Sequence, residues 1–463
     1  MNKYLFTLSL ALASLAGAAD NPIVQTCFTT DPAPMVDGDR LYVYTGHDEN
    51  GADFFWMQEW RVYSTKDMAN WTDHGSPLAI EDFSWGDDRA WAPQCVERDG
   101  KYYFYVPLHS KLSGGMAIGV AVGDSPTGPF KDALGKPLYD DGKWDNIDPS
   151  VMIDDDGQAW IFWGNPEIRY AKLNRDMISF DGEVKTVDQT TEGFGAPGMG
   201  QRPKDSKIGE GGDFIDCYTE GPWIMKRGKK YYLLYAAGGI PEHIAYSMAD
   251  SPEGPWKYMG AVMPLQDTGS FTNHCGVADF KDKSYFFYHT GKLPGGGGFG
   301  RSVAVEEFKY NPDGTFPSIK ATEQGVAPIA TLNPYERVEG ETMAFSKGVA
   351  SEANAKTGVY VSDIHNGDWI KVANVDFGLS GPSKFRATVA SALRGGTIEV
   401  RLDSIDSQPI GLLKVGGTGG WEEWQTLETA LPKDVAGVHD LYFTFSGRKG
   451  PKLMNLDWWE FIE

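Results

Sequence analysis

Trp91-Ala-Pro-Gln-Cys-Val-Glu-Arg-Asp-Gly-Lys-Tyr-Tyr-Phe-Tyr105 and Glu220-Gly-Pro-Trp-Ile-Met-Lys-Arg-Gly-Lys-Lys-Tyr-Tyr-Leu-Leu234 share one layout: a landmark residue, a short apolar strand, a turn of Asp, Gly or Lys, and a strand rich in aromatic or aliphatic side chains. Three further copies begin at Asp31, Asp148 and His274: Asp31-Pro-Ala-Pro-Met-Val-Asp-Gly-Asp-Arg-Leu-Tyr-Val-Tyr44, Asp148-Pro-Ser-Val-Met-Ile-Asp-Asp-Asp-Gly-Gln-Ala-Trp-Ile-Phe162 and His274-Cys-Gly-Val-Ala-Asp-Phe-Lys-Asp-Lys-Ser-Tyr-Phe-Phe-Tyr288. Each reads as a β-hairpin. A second, independent mark repeats between them. Asp124-Ser-Pro-Thr-Gly-Pro-Phe-Lys131 returns almost letter for letter as Asp250-Ser-Pro-Glu-Gly-Pro-Trp-Lys257, with Ser64-Thr-Lys-Asp-Met-Ala-Asn-Trp71 a looser copy. A hairpin followed by another short pair of strands, at a period of about 55 to 70 residues, is a four-stranded unit, and radial repetition of such units builds a propeller. The chain therefore reads as all-β, opening with a five-bladed β-propeller over residues 20–325.

Outward from the repeat, the pattern changes after Ala321. A connection from Val326 to Pro334 leads into short alternating runs such as Asp368-Trp-Ile-Lys-Val372 and Thr397-Ile-Glu-Val-Arg-Leu402, which predict a β-sandwich over residues 334–463. A length of 463 residues accommodates these two domains. At the other end, Asn2 and Lys3, an apolar stretch from Leu5 to Leu15 and the small residues Ala16 to Ala19 have the layout of a signal peptide over residues 1–19, so a secreted or periplasmic protein is expected. The apolar part is too short to span a membrane, and no later stretch is a candidate.

The formal charge of −22, from 42 basic and 64 acidic residues, excludes the basic footprint that a nucleic-acid partner requires. Fifteen Trp, 21 Tyr and 24 Phe supply flat apolar faces of the kind on which sugar rings stack. The run Gly295 to Gly298 lacks the following Lys-Ser or Lys-Thr of a phosphate cradle, so it reads as a flexible loop near Arg301 and no organic cofactor is implied. The Gly-rich stretch Gly193 to Gly212 reads as a loop at the mouth of a pocket. Cys27, Cys95, Cys217 and Cys275 are spaced too widely for a zinc motif and allow either one or two disulfides or buried thiols.

In a propeller the innermost strands of all blades run the same way around the axis, so equivalent positions form a ring at one mouth of the channel. Here that ring holds Asp31, Trp91, Asp148, Glu220 and His274. Three carboxyl groups, an indole and an imidazole have no packing reason to meet on an axis. Two carboxyls flanking a glycosidic bond can perform its hydrolysis, one as proton donor and one as base on water. A third held close tunes the pair. Trp91 is suited either to floor a sugar subsite or to pack between blades.

The segments Thr30-Asp31-Pro32-Ala33, Ile147-Asp148-Pro149-Ser150, Thr219-Glu220-Gly221-Pro222 and Asn273-His274 resemble the blade signatures of glycoside hydrolase family 43. That resemblance implies an inverting mechanism with Asp31 as general base, Glu220 as general acid and Asp148 tuning and orienting Glu220. It also implies that His274 either touches a hydrated calcium ion or helps hold the pocket, and that Asn165 and Arg301 contact sugar. From Glu339-Gly-Glu341 through Asn366-Gly-Asp-Trp369 and Gly419-Gly-Trp421 to Asn455-Leu-Asp457-Trp458-Trp459, the second domain resembles a family 6 carbohydrate-binding module, implying a jelly roll. By that likeness Tyr360 and Trp421 sandwich a sugar, Asn455 hydrogen-bonds it, and Glu339, Glu341 and Asp457 hold a structural calcium ion, with Trp369 and Trp458 in the core. The expected partner is a plant cell-wall polysaccharide, arabinoxylan, xylan or arabinan, met by a monomer. The expected activity is exo-acting α-L-arabinofuranosidase, with β-xylosidase, endo-arabinanase or a non-catalytic sugar-binding protein as alternatives.

Overall fold

The computed structural model describes residues 21–195, 217–432 and 435–463. The leader expected over residues 1–19, and most of the Gly-rich stretch between Gly193 and Gly212, lie outside them. Five antiparallel sheets follow one another along the first two thirds of the chain. Their inner strands are Thr30–Asp37, Gln94–Arg98, Ser150–Ile153, Tyr218–Arg227 and Gly276–Phe280, each paired to the next strand of its own hairpin. The landmarks of the repeat sit at or just ahead of these strands. The second register mark also keeps its place, since Asp124–Phe130 and Asp250–Trp256 each lead from the third strand of a sheet to the fourth.

The aromatic runs are continuous because the second strand of each hairpin is buried on both faces. In Lys101–Ser110, Phe104, Val106 and Leu108 pack toward Tyr44 and Trp60 of the first sheet, while Tyr105 packs among Ile161 and Trp163 of the third. Alternate side chains point to opposite faces, so a strand wedged between two neighbouring sheets has no polar side left to show. The inner strands lie side by side in the order first, second, third, fourth, and the fifth lies against the first. Side chains tie them together: Gln94 accepts from the Val151 N–H at 2.7 Å and donates to its carbonyl at 3.1 Å, and Ser150 accepts from the Ile224 N–H at 3.0 Å. The fifth sheet has three strands, and the segment at 21–29 runs along its edge, with the Ile23 N–H on the Val303 carbonyl and the Thr29 N–H on the Arg301 carbonyl.

Two further sheets follow. One has the order Ala350–Asn354, Gly358–Ile364, Met454–Ile462, Lys384–Ala390, Gln425–Ala430, and the other Phe345–Lys347, Trp369–Asp376, Val438–Gly447, Gly396–Leu402, Gly411–Val415. They enclose a core of Val361, Ile370, Val372, Phe385, Val400, Phe443, Leu456, Trp459 and Phe461. Here the sequence expectation needs correcting. Trp459 is the fully buried member of its pair, whereas Trp458 is half-buried beneath Arg337, and Trp369 is half-buried with its ring stacked on Phe345 at 5.9 Å. Adjacent residues of a strand face opposite ways, and the pairing of Val338 and Ala387 with Trp459 fixes which indole points inward.

The two parts share backbone. Thr342–Met343 pairs with Trp71–Asp73 of the first sheet, and the Asn70 side chain donates to the Ala373 carbonyl at 2.9 Å and accepts from its N–H at 2.8 Å. No helix among the described residues is long and apolar enough to cross a membrane.

Candidate active site

The strands that carry Asp31 and Glu220 are both irregular at those residues. Their ladders slip between Thr30 and Ala33, and again on either side of Glu220, and a bulge of this kind re-aims the side chain it carries. Asp31 and Asp148 take left-handed backbone angles, φ 52° and 60°, a conformation costly for most residues that persists where the surroundings enforce it. Gly221, φ 61°, follows Glu220. A Cβ there would lie 2.9 Å from Cδ2 of His274, so glycine is what lets the imidazole rest against the Glu220 backbone.

That imidazole organises the site. Nδ1 of His274 lies 3.2 Å from Oδ1 of Asp31, and Nε2 lies 3.3 Å from Oε1 of Glu220 and 4.0 Å from Oδ2 of Asp148. Burial works against a charge on the ring, but Asp31, Asp148 and Glu220 outweigh it and raise His274 to about 10, so it is an imidazolium at neutral pH. Burial would likewise raise Asp31, yet Arg301 and His274 hold it down at about 2. Asp148 goes the other way: burial, with Glu220 and Asp31 nearby and His274 only partly compensating, pushes it up to about 7. The Gly221 N–H donates to Oδ2 of Asp148 at 3.0 Å, and Asn165 donates to Oε2 of Glu220 at 2.5 Å. Asp31 is thus held ionised, as a general base must be, while Asp148 beside Glu220 keeps its proton up to about 7.

Asp31, Trp91, Asp148, Asn165, Glu220, His274 and Arg301, all singled out in the sequence, line one cavity of about 280 Å³, near the lower end of the range for small-ligand pockets. Trp91 donates its indole N–H to the Phe55 carbonyl at 2.9 Å, leaving its ring on the cavity wall. Trp144, 59% exposed, and Phe54 stand at the same opening. The run Gly295 to Gly298, expected as a loop near Arg301, makes a tight turn: Gly297 bridges Gly300, and a Cβ on Gly298 would fall 1.8 Å from the Phe271 ring.

Three participants escape the sequence reading. Asp48, 1% exposed, takes the Arg301 guanidinium through two bonds of 2.9 Å and accepts the Arg301 backbone N–H at 2.9 Å, aiming Nη1 at Asp31, 3.4 Å away. His289 is fully buried behind Asp31. Burial and Arg301 lower it to about 3, so it is neutral, donating from Nε2 to the Thr272 carbonyl at 2.8 Å and accepting the Thr30 hydroxyl at Nδ1. Its 3.4 Å approach to Asp31 is therefore not an ion pair. Glu242, also buried, forms part of the cavity wall. A lone Asp in His47-Asp48-Glu49, or a Glu following Gly238-Gly239-Ile240-Pro241, reads as a solvated turn residue until the fold brings it inward.

Asp148, Glu220 and His274 bring one ligand atom each within 4.8 Å of one another. With no ion present the imidazolium neutralises the carboxylates, and a metal held by this set would take the place of the ring's Nε2 proton.

In the C-terminal part the expected residues are arranged differently. Trp421 is half-exposed, with the Lys452 ammonium 5.0 Å from its ring centroid. Tyr360, expected to form the second face of a sugar sandwich, is only 3% exposed, its ring packed edge-on against Trp424 at 5.2 Å. Asn455 is fully buried and donates to the Trp421 carbonyl at 2.7 Å, so its amide holds the loop that carries the indole. Glu341 and Asp457 are buried, and each has a carboxyl oxygen without a hydrogen-bond partner among the described residues. Burial raises both, Asp457 to about 6. Glu339 is held instead by Arg337 at 2.8 and 3.0 Å, and the three carboxylates do not converge as the expected calcium set requires. Cys27, Cys95 and Cys275 are free thiols, the last two of them buried.

Comparison with known proteins places these features in context. Residues 19–316 match the family model of glycosyl hydrolases family 43, and residues 339–463 that of the carbohydrate binding module of family 6. The arabinoxylan arabinofuranohydrolase of Bacillus subtilis (strain 168) is 34% identical over 507 aligned residues, covering 96% of this chain and 92% of that protein. A crystal structure of the family 43 arabinoxylan arabinofuranohydrolase from Bacillus subtilis in complex with cellotetraose is similar end to end, with a TM-score of 0.81, 32% identity, and 96% of this chain and 99% of that one covered. A family 43 β-xylosidase/α-arabinofuranosidase from a compost microbial metagenome, solved with xylotriose in a calcium-free form, has a TM-score of 0.56 and 31% identity, covering 65% of this chain and 98% of that one.

Proposed function

This chain belongs to glycosyl hydrolases family 43 and is a glycoside hydrolase with an appended carbohydrate-binding module; from that premise we propose that it is an exported, inverting, exo-acting α-L-arabinofuranosidase that removes arabinose from arabinoxylan. The observation that carries the mechanism is the placement of Asp31 and Glu220 on opposite nitrogens of one buried imidazole. Those two contacts set a ceiling of about 9 Å on the separation of the carboxyl oxygens, compatible with the roughly 6.5 to 9.5 Å at which inverting enzymes seat a water between base and sugar. Asp31, ionised, takes a proton from that water as its oxygen attacks the anomeric carbon, and Glu220 gives a proton to the departing glycosidic oxygen. Each turnover leaves Asp31 protonated and Glu220 ionised, and exchange with solvent resets both. Asp148 and Asn165 orient Glu220, and Arg301 keeps Asp31 charged.

The preference for arabinoxylan rests on likeness over both domains to an arabinoxylan arabinofuranohydrolase, where the β-xylosidase/α-arabinofuranosidase covers only the first. The five successive sheets support reading the catalytic domain as five blades. A calcium ion in the C-terminal module suits the oxygens of Glu341 and Asp457 that lack a hydrogen bond, hard donors of the type calcium takes, with Glu339 joining once Arg337, which also lies 3.8 Å from Asp457, lets go. Product analysis on arabinoxylan, arabinan and aryl pentosides, with proton NMR of the first anomer released, tests the assignment. Free arabinose released as the β-anomer supports it. Xylose from xylobiose with no arabinose from any substrate would replace it with β-xylosidase.

A further inference from the structure

Glu242 stands just ahead of the strand His243–Ala249, beside Ile240 on the cavity wall. It is 5% exposed, and its Oε2 accepts the Asn273 backbone N–H at 2.8 Å, which fixes the plane of the carboxyl group. Its Oε1 has no hydrogen-bond partner among the described residues. An unpaired buried carboxyl oxygen costs on the order of 1 to 3 kcal/mol, so a group that tolerates it in the wall of a pocket is poised for a partner that arrives with the ligand. Among the described residues no lysine or arginine pairs with it. The charged groups that act on it most strongly are Glu220, His274 and Asp148, which places it at the reacting end of the cavity rather than at the mouth.

We propose that Glu242 is a substrate-positioning residue whose Oε1 hydrogen-bonds a hydroxyl of the sugar ring bound beside Glu220. The inference rests on the reading of this cavity as a glycosidase site. Burial first, and Glu220 second, push the Glu242 carboxyl well above the usual range, so it holds its proton. With Oε2 occupied as an acceptor, that proton sits on Oε1 and faces a sugar oxygen as a donor. A neutral carboxylic acid that donates to a ligand from an apolar wall is an arrangement enzymes use elsewhere. It also explains why a fourth carboxyl can stand among Asp31, Asp148 and Glu220 without adding another charge.

The donor pattern makes the test sharp. In Glu242→Gln the amide oxygen can accept the Asn273 N–H and the amide nitrogen can donate toward the sugar, so the pattern is preserved; in Glu242→Leu the shape is roughly kept and the donor is lost. On the full chain with 4-nitrophenyl α-L-arabinofuranoside, Glu242→Gln should stay within about threefold of the parent in kcat/KM and Glu242→Leu should lose about 10- to 100-fold, as expected for one hydrogen bond in a desolvated site. A panel of monodeoxy arabinofuranosides supplies an arm that needs no variant. One analogue should lower the parent's kcat/KM by a similar factor yet show little further loss with Glu242→Leu, because the lost partners are the same pair. Equal damage from Gln and Leu, or additive losses across the whole panel, would overturn the proposal. A parent inactive on every aryl pentoside would instead sink the glycosidase reading beneath it.

Discussion

The catalytic cavity and the C-terminal module both carry motif residues expected to form a site, and the fold treats the two sets differently. In the cavity, residues as far apart in sequence as Asp31 and Arg301 meet within hydrogen-bonding reach. In the module, Tyr360 and Asn455 turn inward and Glu339 is taken by Arg337. A repeat supplies its own coordinates. Five copies in one register say which position of each inner strand reaches the axis, whereas a single-copy motif says which residue types are present but not which way an isolated strand turns them.

The largest expected effect separates the two regions outright. Glu220→Gln should lower kcat on 4-nitrophenyl α-L-arabinofuranoside by about 10²- to 10⁴-fold while leaving retention on insoluble arabinoxylan intact, since it removes only the proton donor. Trp421→Ala should do the reverse, weakening retention about tenfold, or 1.4 kcal/mol, with unchanged kinetics on the small substrate. A Glu220→Gln protein that also lost retention would mean that the cavity, not the module, holds the polymer.

The second contrast sets two arginine–carboxylate pairs against each other. Arg301 and Asp48 are buried to 3% and 1% side-chain exposure, whereas Arg337 and Glu339 are 50% and 39% exposed. Asp48→Asn leaves a buried guanidinium without its fork partner and should cost about 3 to 5 kcal/mol in a urea unfolding titration. The same experiment on Glu339→Gln should register less than about 1 kcal/mol. Similar losses would show that the Arg301–Asp48 pair is open to water in solution.

Asp148 gives the contrast a pH axis. Its carboxyl holds a proton to about 7 in the folded protein, but in the unfolded chain only to the ordinary range near 4. Between those values the unfolded state releases its proton first, so the folded state binds more protons and rising pH drains stability. Asparagine has no proton to lose. The difference in Tm between Asp148→Asn and the parent should therefore move in favour of the variant from about pH 4 to pH 7 and level off above. A difference that stays flat across that window would place Asp148 in a solvated environment.

What was legible follows the same division. The ring of Asp31, Trp91, Asp148, Glu220 and His274 could be read because hairpin register and residue chemistry coincide. Asp48, Glu242 and His289 could not, because each meets the site through tertiary packing. His289 lies within Lys283–Thr290 at a position that alternation marks only as buried, and nothing local ties it to Thr272. The Trp458–Trp459 pair shows the limit for a strand read alone, since either parity satisfies the composition and only the partner strand decides.

The smallest effect bears on the module's carboxylates. With Arg337 on Glu339 and 3.8 Å from Asp457, the oxygens of Glu341 and Asp457 that lack a hydrogen bond leave the proposed calcium set one ligand short. Binding would require Arg337 to withdraw, and because that pair is largely exposed, breaking it costs under about 1 kcal/mol. An ion that binds the folded state alone adds RT ln(1 + [L]/Kd), about 1.4 kcal/mol at a tenfold excess over Kd, so for a site of ordinary extracellular affinity, roughly 0.1 to 1 mM, the exchange is downhill at about 1 to 10 mM calcium. The Tm of the module's transition should then rise by a few degrees on adding calcium and fall back with a chelator. Glu341→Gln should abolish the rise. Glu339→Gln should shrink it while barely altering the Tm measured in chelator, because in the calcium-free state Glu339 serves only its exposed partner. A calcium response untouched by either substitution would move the ion away from these carboxylates.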